Sequence, residues 1–270
     1  MSKRRRLKKR HSLTRRQSLA VDLLLDETQD ALQDGDYENV IRLCRLALDQ
    51  LPRSDKRRVE ALQFLASALA TQKRFDESYD ALLEAVNIDP DEPILWYNKS
   101  LSALYTSRIG QALRDAEKAV ALDPPPQYKK QFQEQLAFIQ DVAEKDRALR
   151  GPDFTIEQLI EQQDIMKEAM LAMEADRWLE AEQSYRKVIA MGDCLPQPWG
   201  NLGLCLMMQR RFDEAEAAFN QALELDPDYE LAKRNLKLLP SIRKSGQLPE
   251  MKTTQPFADT KVRLAFDIED

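Results

Sequence analysis

The stretch Pro196–Tyr229, PQPWGNLGLCLMMQRRFDEAEAAFNQALELDPDY, constrains this chain more than any other, because its order of large, small and turn residues returns elsewhere at a fixed period. Trp199, Leu202, Gly203 and Leu206 fall at helical spacing, and after the polar break Gln209–Arg211 so do Ala215, Phe219 and Ala222. Gly203 and Ala215 are the small members that let two helix axes approach, with Trp199, Leu202 and Phe219 filling the space between them. Asp226-Pro227 ends the second helix, since proline has no amide to donate and restricts the residue before it. Two short helices cannot bury such a face alone, so the hairpin requires neighbours of its own kind.

Those neighbours are present. A step of 34 residues toward the N-terminus finds Ile165, Ala169, Ala172, Trp178, Ala181, Tyr185 and Val188 in the same columns. Further in-phase sets are Trp96, Ser100, Ala103, Ile109, Ala112, Ala119 and Pro124; Leu62, Leu65, Ala66, Leu69, Phe75, Ala85 and Pro90; and Leu24, Ala31, Tyr37, Val40, Cys44, Ala47 and Pro52. The pattern resembles the tetratricopeptide repeat family, whose 34-residue unit carries Trp, Leu-Gly, Tyr, Ala, Phe, Ala and Pro at these intervals. The best unit departs by Leu206 where the family prefers Tyr, and the first and fourth carry Glu27 and Glu168 where it prefers Leu. The resemblance implies an all-α fold: a right-handed solenoid of about five helix-turn-helix repeats, with an extra long helix, a capping helix and flexible termini.

Along the chain this gives a basic tail over 1–19, expected to be disordered, and a first repeat block over 20–150. That block holds repeats at about 21–54, 59–92 and 93–126 and then a long helix over 127–150, with Phe132, Leu136, Ile139 and Val142 on one face. Gly151-Pro152-Asp153 breaks the chain, and Thr155 with Gln158 forms a capping box for the next helix. A second block over 152–240 holds repeats at about 162–195 and 196–229 and a capping helix over 229–239, which Pro240 is expected to end. Residues 241–270 read as a linker and an extended segment, with Val262, Leu264, Phe266 and Ile268 alternating in a strand period.

The formal charge of -6 hides a division. Nine cations, Lys3, Arg4, Arg5, Arg6, Lys8, Lys9, Arg10, Arg15 and Arg16, lie in the first 19 residues with no acid among them, leaving 31 basic against 46 acidic residues in the rest. Such a tail suits a polyanion: nucleic acid, an anionic surface, or the acidic body of the chain itself. No apolar run approaches the roughly 20 residues that span a bilayer, and no secretory core follows the N-terminal charges. An intracellular, cytoplasmic protein is expected, with the tail also compatible with nuclear or organellar targeting. Cys44, Cys194 and Cys205 form no CxxC pair and are expected to stay reduced.

Catalytic chemistry finds little to build on. The single histidine, His11, lies in the tail, and neither GxGxxG nor GxxxxGK occurs, so no enzyme, metal site or cofactor is expected. The expected function is a noncatalytic scaffold for protein–protein interaction that holds a partner peptide or helix in the concave groove, lined in this family by the first helix of each repeat. The alternative is an adaptor anchored to nucleic acid or an anionic surface by its tail. Expected groove residues are Tyr97 and Asn98 in the third repeat, Met166, Met170 and Met173 in the fourth, and Asn201, Met207 and Met208 in the fifth. Methionine-rich surfaces accept varied apolar side chains, and Met170→Lys with Met207→Lys is expected to weaken capture while sparing the fold, unless these residues are core. Some members clamp the acidic C-terminus of heat-shock chaperones with Lys and Asn residues. Here Asn98 matches, but Gln63, Ser67 and Phe132 stand where the flanking ligands should be.

Overall fold

A computed structural model describes residues 13–192 and 194–248. Among them are twelve α-helices and no strand, as the periodicity requires. They pair as hairpins: α1 (Arg15–Gln33) with α2 (Tyr37–Gln50), α3 (Arg57–Thr71) with α4 (Phe75–Ile88), and α5 (Pro93–Tyr105) with α6 (Ile109–Ala121). The long α7 (Pro126–Ala148) stands without a hairpin partner. Then come α8 (Ile156–Glu174) with α9 (Trp178–Met191), α10 (Pro196–Met208) with α11 (Phe212–Leu225), and the final α12 (Glu230–Ser245). The chain divides into two compact units between Lys145 and Asp146, within α7 and ahead of the Gly151 break.

In the first unit each hairpin lies against the next, α2 on α3 and α4 on α5, over a core that includes Leu62, Leu69, Leu82 and Leu95. In the second, α9 packs on α10 and α11 on α12 around Tyr185, Leu206 and Phe219, each no more than 1% exposed. Gly203 shows why the column needs a small residue: a Cβ there would lie 2.7 Å from the Phe219 ring. Burying a phenylalanine this completely contributes about 1.5–3 kcal/mol, which that clash would erode.

One turn geometry closes all five hairpins. Gly35, Lys73, Ser107, Asp176 and Arg210 occupy the left-handed region, with φ of 72°, 60°, 59°, 56° and 63°. The following amide reaches back five residues in each, from Asp36 to Ala31 O, Arg74 to Leu69 O, Arg108 to Ala103 O, Arg177 to Ala172 O and Arg211 to Leu206 O, over 2.8–3.0 Å. These six-to-one bonds satisfy carbonyls that the helix end would otherwise orphan.

Two boundaries depart from expectation, at the start of α1 and the end of α12. Helix α1 starts at Arg15, so Arg15 and Arg16 belong to a folded element and not to a disordered tail. A reciprocal box between Thr14 and Gln17 caps it, and Val21, Leu25, Thr28 and Ala31 bury its inner face. Helix α8 starts at Ile156 behind the Thr155–Gln158 box and runs 19 residues, longer than the repeat alone needs. Helix α12 continues through Pro240 to Ser245, because Leu239 and Ile242 are buried in the unit's core and offset the missing hydrogen bond. Gly246, at φ 69°, terminates it. The cations Lys3–Arg10 and the alternating segment 262–268 lie outside the described residues.

Candidate functional site

The first helices of the second and third repeats, α3 and α5, leave a cleft of about 220 Å3 between them. Ala66, Ser67, Ala70 and Thr71 form the α3 wall; Asn98, Leu101, Ser102 and Tyr105 form the α5 wall; Phe75, Ser78 and Leu82 of α4 make the floor. The floor is fixed by hydrogen bonds. Ser78 Oγ donates to Ala66 O at 2.9 Å and lies 3.0 Å from Ser102 Oγ, so both buried hydroxyls are satisfied by the fold itself. At one end the Phe75 and Tyr105 rings stack at 4.4 Å and 13°, with Tyr105 43% exposed. Asn98 is half-buried in the wall, and its side-chain amide makes no hydrogen bond among the described residues. That leaves two donors and an acceptor for a ligand.

Behind this wall sits a charged pair that α5 hides. Lys99 Nζ lies 2.8 and 2.7 Å from the two oxygens of Asp115 on α6, with side chains only 3% and 1% exposed. Gln111 Nε2 donates to the same carboxylate at 2.8 Å, and Lys99 sits 4.9 Å from the Tyr79 ring centroid and 5.3 Å from that of Trp96. Burial pushes the Asp115 carboxyl above the usual range, and the Lys99 charge with the bonds from Lys99 and Gln111 offsets part of that. The pair pins the second helix of the repeat to the first, and so fixes the side of α5 that faces the cleft.

The expected groove residues part ways in the structure. Asn98 lines the cleft. Tyr97, its neighbour, instead stacks on Phe132 of α7 at 4.2 Å and accepts a hydrogen bond from Gln131 at 2.8 Å, so it anchors the long helix. In the second unit Met170, Met173 and Met207 are 5%, 7% and 0% exposed, and Met173 and Met207 belong to its core. Buried to this degree, they present no ligand surface. Met166 is half-buried against the same core and Met208 is half-exposed. Asn201 is buried and donates from Nδ2 to Tyr185 Oη at 3.1 Å, an inter-repeat bond that occupies its amide. Of the expected polyanion ligands, Arg15 and Arg16 are exposed on the first turn of α1.

Sequence reasoning passed over the ring pair and the hydroxyl wall. The signal was in the register: Tyr105 stands 34 residues after Thr71, and Phe75 just past it, so the third and second repeats deliver side chains to one place. In the second unit the polar centre is structural. Glu182, 5% exposed, accepts from Gln209 at 2.9 Å, Arg186 at 2.9 Å and Arg211 at 2.7 Å. Burial alone would raise its carboxyl, yet these bonds and the Arg211 charge outweigh it and hold the group below the ordinary glutamate range. Burial pushes the thiols of Cys44 and Cys205 up to about 12, leaving them unreactive, and none of the three cysteines is in a disulfide among the described residues. Among the described residues no helix is long and apolar enough to cross a membrane.

Comparison with known proteins bears on the two best-formed repeats. Residues 59–92 and 196–229 each match a family model described as tetratricopeptide repeat. A DnaJ homolog subfamily C member 7 homolog of Dictyostelium discoideum is 29% identical over 107 residues, covering 38% of this chain and 18% of that protein. Human DnaJ homolog subfamily C member 7 is 22% identical over 262 residues, covering 79% of this chain and 51% of its own length. The chain thus spans about half, or less, of these curated relatives. A solved tetratricopeptide domain, that of P58(IPK), superposes with a TM-score of 0.47 at 14% identity, covering 83% of this chain and 66% of that one. With two repeats matched and five hairpins closed by the same turn, the chain is a tetratricopeptide repeat protein.

Proposed function

We propose that the protein is a noncatalytic scaffold for protein–protein interaction and that the α3–α5 cleft holds an extended segment of the partner. The observation that carries this reading is Asn98: a half-buried amide without a partner among the described residues, set in a cleft whose other buried polar groups are satisfied internally. An amide placed this way can pair with a peptide group, which offers a matching donor and acceptor. At about 220 Å3 the cleft is below the roughly 300–1,000 Å3 typical of small-molecule sites, and it fits one or two peptide side chains better than a cofactor.

The test is selection of a phage-displayed library of short random peptides on the full chain, with enriched peptides titrated against Asn98→Ala and Leu101→Arg. Both positions are partly exposed, so the fold should survive. Affinity is expected to fall about tenfold for Asn98→Ala, equivalent to about 1.4 kcal/mol. Leu101→Arg is expected to fall further by filling the cleft. Peptides that bind wild type and both variants equally would refute the cleft as the site.

A further inference from the structure

We infer that this cleft selects an uncharged stretch of polypeptide, with small aliphatic side chains, and rejects the acidic segments for which lysine-rich repeat grooves are built. The inference rests on the cleft being the binding site and concerns the chemistry of what enters it.

The lining contains no ionisable side chain other than the Tyr105 phenol. Its other polar groups are hydroxyls and one amide, Ser67, Thr71, Ser78, Ser102 and Asn98, and its apolar groups are the small Ala66 and Ala70 of the α3 wall beside the larger Phe75, Leu82 and Leu101. Three of the cations that flank the cleft in sequence are committed elsewhere. Lys99, next to Asn98 in the chain, is 2% exposed and locked onto Asp115. Arg108, in the turn after α5, pairs with Asp76 at 2.9 Å and lies 4.3 Å from the Tyr79 ring centroid. In the turn after α3, Arg74 is held by Glu77 at 2.7 Å. Lys73 in that same turn is exposed.

A carboxylate entering this space would surrender hydration and meet neutral donors only, and an uncompensated charge in such surroundings is costly. An uncharged peptide loses far less. Its backbone amide pairs with Asn98, and an alanine- or valine-sized side chain rests on the small residues of the α3 wall. The exposed Tyr105 face lies at the end of the same track, where an apolar or amide group can pack against it. Opposite charge is therefore not the device for capture. Shape and one amide pair are.

The experiment uses the selected peptides from the same library, taken as a pool and as individuals. Expected are sequences with an uncharged core whose affinity changes less than about twofold between about 0.1 M and 1 M salt, where the screening length shrinks from roughly 10 to 3 Å. Asp placed at either contacted position should weaken binding more than about tenfold, and Lys73→Gly should leave it unchanged. A pool rich in Asp and Glu, sensitive to salt and weakened by Lys73→Gly, yet still lost in Asn98→Ala, would overturn the inference while leaving the cleft as the site. A pool indifferent to Asn98→Ala and Leu101→Arg would overturn both.

Discussion

Replacing Lys99 by Met should cost the first unit about 3–5 kcal/mol, the usual consequence of stranding a buried charge. The magnitude comes from the geometry. Both oxygens of Asp115 lie within 2.8 Å of Lys99 Nζ, and Asp115 is 1% exposed, so no water replaces the ammonium when it goes. Gln111 remains as a neutral donor and offsets only part of the loss. Replacing both members, Lys99→Met with Asp115→Leu, should return stability to within about 1 kcal/mol of wild type or above it, because the desolvation of two ions disappears along with their attraction. The pH dependence carries a definite sign. Burial already raises Asp115 in the native state, and without Lys99 it must rise further. The folded form then binds its proton more tightly than the unfolded chain. Stability in Lys99→Met is fullest below the unfolded value near 4 and falls as pH rises through the folded one. The deficit against wild type should accordingly narrow by up to about 1.4 kcal/mol per pH unit on acidification within that window. Urea unfolding followed by Trp96, in a background where Trp178 and Trp199 are Phe, reports on the same helix as Lys99. A single mutant costing under about 1 kcal/mol, or a double mutant as unstable as the singles, would refute the description of a desolvated pair.

Other perturbations test the frame around the cleft. Lys73→Gly and Arg210→Gly should each raise stability by roughly 1 kcal/mol, since both residues hold left-handed backbone that disfavours a Cβ; thermal melts that fall would contradict this. Asp176→Gly should gain less, because aspartate tolerates that conformation. Met170→Lys with Met207→Lys should unfold the second unit, visible as lost helicity, because these side chains are 5% and 0% exposed; retained helicity would restore them as a surface. Glu182→Gln should cost about 1–3 kcal/mol at neutral pH. Its lowered folded value means that wild type enjoys this stability above the unfolded value and loses it as pH falls through the folded one, so the variant's deficit should vanish in acid. Melting points of the two proteins that stay parallel down to pH 3 would rule that out.

The hairpins were legible because they depend on local volume: Gly203 opposite Phe219 is a clash that the spacing of the columns already implies. The Thr155–Gln158 cap was legible for the same reason, its partners being three residues apart. What escaped depends on partners remote in sequence. A methionine at helical spacing looks the same whether the next helix covers it or not, and α9, α11 and α12 decide the matter for Met173 and Met207. Pro240 signals a stop, yet Ile242 beyond it finds a core that keeps the helix going. Asn98 was readable from its column as an amide ligand. The neutrality of its surroundings was not, because only the fold shows that Lys99 turns inward to Asp115.

Apart from α7, which meets α5 through Tyr97 and Phe132, each helix packs mainly on its neighbours in the chain, and α1 on α3 and α10 on α12 reach one helix further. Little chain must be looped out before a contact forms, so the entropic barrier to assembly is low and folding should be fast for a protein of this length. It also means that no single event ties the molecule together. A hairpin can form, or open, with only the one beside it taking notice, and the ends of each row should exchange amide hydrogens sooner than the middle. The α3–α5 cleft lies in the interior of its row, with α1 and α2 before it and α6 after it, and so belongs to the part that opens last.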